Sequence, residues 1–244
     1  MPDILTSTSA IGDESLAVSG RRERGMQKKQ LLIFEAAASL FAQYGFDGVT
    51  TQQISEKADV AAGTLFRYAS SKSELLIMVH NEEFRRAFAI GRELSLKHSD
   101  PAESIFALLE PIFAAASEHA GNAAFYQREL LFGSPTERYR SEGLALVAEL
   151  EAAIALRLTT STSEKTNANT NDDVKVDVEA NTHASREASR AARSVFAVLH
   201  LLVAQPATGA HADSNANEEL RAQVAQIVNG FAVSIARPED TPAR

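Results

Sequence analysis

Between residues 31 and 75 apolar positions return at helical spacing, break off sharply, and start again. Ile33, Ala37, Leu40, Phe41 and Tyr44 form one stripe, which predicts a helix that buries one face. Gly45 ends it, because glycine readily takes the left-handed conformation of a C-cap, and Phe46 is placed to fold back as the apolar contact. Thr50 and Gln53 make a T-x-x-Q capping box and start a second helix with Ile54 and Ala58 inward. A third helix, about Ala62 to Tyr68, has Leu65 as its anchor and is too short to persist without tertiary packing. Ser71 and Glu74 make a second box and open a long helix from Lys72 to about Ser95.

The remaining pattern is also helical. After the break at Ser99-Asp100-Pro101, helices are predicted over Pro101–His119, Ala123–Phe132 and Thr136–Leu158, separated at Gly121-Asn122 and Gly133-Ser134-Pro135. Two more, Arg186–Ala204 and Asn217–Ala236, follow a stretch that is almost all Thr, Ser, Asn, Asp and Glu. That stretch, 159–185, reads as a disordered insertion; its valines 174, 176 and 178 alternate as in a strand, but a lone strand would have nothing to pair with. Residues 1–20 and 237–244 read as tails. The fold class expected is all-α, with a small domain at 21–75 and a larger one at 76–236.

The residues of the first segment resemble the DNA-binding domain of the TetR (tetracycline-repressor) family. The likeness rests on Leu40-Phe41, Gly45, Thr50, Ile54, Ala58, Gly63-Thr64-Leu65-Phe66, Ser71-Lys72 and Glu74-Leu75, over about 45 residues. It implies a three-helix, helix-turn-helix DNA-binding domain whose third helix enters the major groove, followed by a helical ligand-binding and dimerisation domain. Carried over by position, base contact falls to Gln52, Ala62, Gly63, Phe66 and Arg67. Arg67 suits guanine and Gln52 adenine through paired hydrogen bonds, and Phe66 offers an apolar face to a thymine methyl. Phosphate contact falls to Thr51, Thr64, Tyr68 and Lys72, although the Tyr68 ring could equally be a packing element. Arg21, Arg22, Arg24, Lys28 and Lys29, just before the first helix, suggest an arm on phosphates or in the minor groove, or else a solubilising run.

Three positions depart from the family pattern. Asp59 replaces the usual turn glycine, Ala61 a capping serine, and Ala69 a bulky aromatic. Losing the cap should cost about 1 kcal/mol. Asp59 tolerates the left-handed region better than most residues and could cap one position early.

The resemblance further implies a homodimer through the last two helices, a palindromic double-stranded DNA operator, and a small-molecule effector, apolar or aromatic by default, bound between Pro101 and Leu158. Candidate pocket residues are Phe106, Phe113, Phe125, Tyr126 and Phe132, with His119, Asn122, Gln127 and Arg128 as polar groups. Aromatic stripes at this spacing are also ordinary core.

Composition adjusts this picture in two ways. The net charge of −8 opposes binding to phosphates, yet residues 21–75 carry 8 Lys and Arg against 6 Asp and Glu, and 76–244 carry 16 against 23. The acid lies away from the proposed DNA face. Cysteine is absent, so disulfides and thiolate sites are excluded. Catalytic motifs are missing, His80, His98, His119, His183, His200 and His211 are scattered, and no enzyme, metal site or cofactor is expected. No apolar run approaches a membrane span and no export signal is seen, so a cytoplasmic location is expected. The alternative is a helical interaction protein on the same scaffold with weakened or lost DNA binding, since all three departures fall in the reading element.

Overall fold

The computed structural model describes residues 10–167, 178–209 and 215–236. Among them are nine helices and no strand: α1 (Ala10–Tyr44), α2 (Thr51–Lys57), α3 (Ala62–Leu65), α4 (Lys72–Ser95), α5 (Pro101–Glu118), α6 (Ala120–Phe132), α7 (Arg138–Asn167), α8 (Val178–Thr208) and α9 (Ala216–Ala236). The chain divides into a unit of residues 1–79 and another of 80–244, and α4 is continuous across that division.

In the first unit the predicted stripe is the core. Ile33, Ala37, Leu40 and Phe41 are buried on α1, as are Ile54 of α2, Ala58 at its C-cap and Leu65 of α3. Tyr44, expected in that stripe, is exposed instead, because it lies at the last residue of the helix. Gly45 takes φ +70°, and its N–H closes on the Phe41 carbonyl at 2.9 Å. Phe46 folds back so that its ring stacks on Phe41, 6.1 Å between centroids.

Helix α1 already begins at Ala10, within the segment expected to be a tail, so Arg21, Arg22, Arg24, Lys28 and Lys29 lie on a helix and not on an extended arm. The side chains of Arg21 and Arg22 lie outside the described residues. The expected insertion is likewise entered by helix from both sides, α7 running to Asn167 and α8 starting at Val178. Val174, Val176 and the tail 237–244 lie outside the described residues.

In the second unit α8 packs on α6, α7 and α9, and α5 on α7 and α9. Their shared core includes Ile105, Leu108, Leu109, Leu150, Ile154, Val195, Leu220 and Val224. The end of α4 is fastened to it, since Ser104 Oγ donates to the Ser95 carbonyl at 2.9 Å and Arg157 donates to Ser95 Oγ at 3.0 Å. No helix among the described residues is long and apolar enough to cross a membrane.

Candidate nucleic-acid interface and a second-unit cleft

Helix α2 starts where the sequence says it should. Thr50 Oγ1 accepts the Gln53 N–H at 3.2 Å, while Gln53 Oε1 accepts the Thr50 N–H at 2.8 Å, closing the box. At α4, Ser71 Oγ accepts the Glu74 N–H, but Glu74 Oε2 reaches one residue further back, to the Ser70 N–H at 2.6 Å. Between these caps, α3 contains only four residues, shorter than the expected Ala62–Tyr68. It is held by Leu65, which is fully buried, and by Ala69 just beyond it.

This pinning sorts the candidate base-reading residues onto the solvent side. Gln52, Ala62, Gly63, Phe66 and Arg67 are all exposed. Phe66 is 49% exposed, and a Cβ added at Gly63 would meet nothing within 4 Å, so packing does not require glycine there. The amide of Gln52 is held by Glu56 Oε1 at 2.9 Å and must be released before it can read a base. Beside Arg67, a shallow groove is lined by Thr64, Tyr68 and, from α1, Gly25, Met26 and Lys29, which brings two cations to one surface.

Two residues assigned to phosphates have structural work. The Tyr68 hydroxyl donates to the Met26 carbonyl at 3.1 Å, tying the turn after α3 to α1. Lys72 donates to the carbonyls of Phe46 and Val49, each at 2.9 Å, with its ammonium 4.1 Å from the Phe46 ring centroid. Two of its three donors thus hold the loop between α1 and α2.

This segment also matches known proteins. The family model described as "Bacterial regulatory proteins, tetR family" matches residues 33–79. The HTH-type transcriptional repressor KstR of Mycolicibacterium smegmatis is 30% identical over 101 residues, 41% of this chain and 47% of that protein. The RutR regulator of Escherichia coli K12 is 37% identical over 65 residues, 27% of this chain and 31% of that protein. Residues 33–79 are thus similar to the DNA-binding segment of TetR-family regulators. The chain spans less than half the length of these curated relatives, which are named as transcriptional regulators. The structure of Thermus thermophilus FadR, a TetR-family repressor in complex with lauroyl-CoA, superposes with TM-score 0.59 at 20% identity, covering 88% of this chain and 98% of that one. At that identity the likeness carries the fold alone.

Within this TetR-family domain the turn before α3 departs from the usual residues, and its geometry accounts for two of them. Asp59 has φ +52°, the left-handed conformation that the usual glycine would supply. Ala61 is the N-cap of α3, extended at φ −65° and ψ 145°, with no side-chain cap bond. Asp59 therefore does not stand in for the missing serine. Ala61→Ser should raise thermal stability by about 1 kcal/mol, because the backbone already has the cap conformation; an unchanged unfolding midpoint would show that α3 has no cap to gain.

In the second unit a mostly apolar cleft of about 630 Å³, counting its open mouth, lies among α4, α5, α6, α7 and α8. Of the nine pocket candidates, Tyr126 and Gln127 line it. The others stand elsewhere. Phe106 and Phe113 are core, Asn122 is buried, Phe132 is 81% exposed, and Arg128 lies over the Phe125 ring. His119 is the junction residue between α5 and α6.

The lining residues that were not nominated include Ile112, Ala123, Leu130 and Val147 within the interval searched, and, from outside it, His80, Glu83 and Phe84 on α4 and Phe196, Leu199, His200 and Val203 on α8. Spacing on single helices carries no sign that these two faces converge. Tyr126 donates to Asn81 Oδ1 at 2.8 Å, and Asn81, fully buried, donates to the Tyr139 carbonyl at 2.8 Å. Burial holds the Tyr126 phenol well above the usual tyrosine range, against the opposing effect of Arg85. His80 Nδ1 stands 3.0 Å from Glu83 Oε2.

Proposed function

We propose that this chain is a ligand-responsive, homodimeric transcriptional repressor that binds a palindromic operator and is released by a small molecule. The observation that carries the DNA-reading part is that Gly63 of α3 and Phe66 and Arg67 of the turn that follows it are all exposed, while Leu65 between them is fully buried. Arg67 reads guanine, Gln52 adenine, and Phe66 a thymine methyl, while Ala62 and Gly63 let the helix approach the groove closely. Arg24, Lys28 and Lys29 on α1, with Thr51 and Thr64, meet phosphates. KstR being named a repressor supports repression over activation.

Dimerisation is supported by what α8 and α9 leave outside. Leu201 is 60% and Val233 54% exposed, and Ala197, Ala222 and Gly230 beside them are small and exposed, a surface suited to close helix packing. The lauroyl-CoA complex of FadR and the resorcinol complex of RolR support a small-molecule effector. The second-unit cleft is its site in this reading. Helix α4 supplies His80, Glu83 and Phe84 to the cleft and Lys72 to the first unit, so a ligand that prefers one placement of α4 would bias DNA affinity.

Arg67→Ala tests the reading of bases. The expected result is relaxed preference at one base pair per half-site, about 1 to 3 kcal/mol of discrimination, with other positions unchanged. A uniform loss across all sequences, measured by selection from a randomised pool, would remove Arg67 from base contact.

A further inference from the structure

We infer that the second-unit cleft takes an uncharged, largely apolar molecule whose hydroxyl group hydrogen-bonds the imidazole of His200. This rests on reading that cleft as the effector site. Most of its wall is hydrocarbon, with Phe84, Ile112, Leu130 and Phe196 among the lining residues, which fixes the body of the ligand. The polar groups decide the rest. His80 is paired with Glu83, the Tyr126 hydroxyl is spent on Asn81, and Gln127 Nε2 donates to the His200 carbonyl at 3.1 Å. Among the lining residues His200 alone has a buried side-chain nitrogen or oxygen, its Nε2, with no hydrogen-bond partner among the described residues. A buried nitrogen left unpaired is costly, and a ligand that supplies its partner recovers that cost on binding.

The charge state narrows the partner. Burial pushes the His200 pKa below the usual histidine value, so the ring is neutral near pH 7. A neutral imidazole carries one donor and one acceptor nitrogen. A hydroxyl serves either tautomer, donating to a bare nitrogen or accepting from N–H, whereas a carbonyl or ether oxygen serves only the second. An anion is opposed twice. The cleft is lined by the Glu83 carboxylate and by no Lys or Arg among the described residues, and a carboxylate ligand would require the proton that His200 resists taking up. The Phe196 ring, 5.4 Å from the His200 ring, borders the same polar point with apolar surface.

The test uses the full chain and four probes of one shape: 2-naphthol, naphthalene, 2-naphthoate and 2-naphthylmethylamine, titrated by calorimetry near neutral pH. The expected result is 2-naphthol binding about tenfold tighter than naphthalene, the equivalent of one net hydrogen bond, with 2-naphthoate weakest. His200→Phe should erase the preference for naphthol and leave naphthalene binding intact, and His200→Gln should keep it. Equal affinities in the natural protein, tighter binding of the naphthoate or the amine, or a preference that survives His200→Phe would overturn the inference. If no probe binds, the cleft is not a ligand site and both readings fall. If naphthol binds as expected but leaves DNA affinity unchanged, the effector reading falls and the His200 contact stands.

Discussion

Lys72→Ala should lower the unfolding midpoint of the first unit by roughly 10 to 20 °C while leaving the salt dependence of DNA binding nearly unchanged. Position in the family pattern gives Lys72 to a phosphate, and on that assignment the substitution would leave stability alone and reduce the slope of log affinity against log salt by about 1. The geometry assigns it differently. Its ammonium bonds the Phe46 and Val49 carbonyls at 2.9 Å each and lies over the Phe46 ring. Truncation leaves both carbonyls without that donor and loosens the loop that sets where α2 begins. Hydrogen bonds from a charged donor contribute about 1.5 to 3 kcal/mol each, discounted here because Lys72 is only half-buried, so about 3 kcal/mol in all is at stake. Thermal unfolding followed with a salt titration of the folded variant separates the two roles. An unchanged midpoint with a reduced slope would restore the phosphate assignment.

Gly91→Ala should destabilise the second unit by about 3 kcal/mol, although alanine is the better helix former by about 1 kcal/mol. A Cβ at this position would stand 2.1 Å from the Leu108 carbonyl oxygen and 2.9 Å from its carbon, both backbone atoms of α5. Backbone cannot rotate aside as a side chain can, so α4 and α5 must separate and part of their packing is lost. The effect bears on function because the same helix supplies His80, Glu83 and Phe84 to the cleft. Denaturant unfolding of the second unit is the measurement; a midpoint equal to or above that of the natural protein would show that the two backbones do not meet as described.

What the sequence made legible follows from how local each signal is. The capping box at Thr50, the C-cap at Gly45, the stack of Phe46 on Phe41 and the span Lys72–Ser95 are each written within a few residues, and each is found. Phe66 and Arg67 are exposed in the turn that follows the buried Leu65. The roles of Lys72 and Tyr68 were hidden because their partners lie 23 and 42 residues away, at Val49 and Met26. Composition did not reveal the helix at 10–20, 159–167 and 178–185, where small and polar residues continue helices begun by their neighbours. The cleft was hidden for the same reason as Lys72. Its walls are contributed by five helices, and periodicity on α5 and α6 alone nominated Phe106 and Phe113, which the fold uses as core.

Whether the exposed residues of α3 and the turn after it read operator DNA is decided by selection of genomic fragments by the purified protein across a range of salt concentrations. The account predicts a selective complex with a steep salt slope, and a recovered site with two inverted half-sites whose centres lie about one helical turn, or a multiple, apart. No selective complex at low salt would contradict it and leave a helical interaction protein on a TetR-family scaffold.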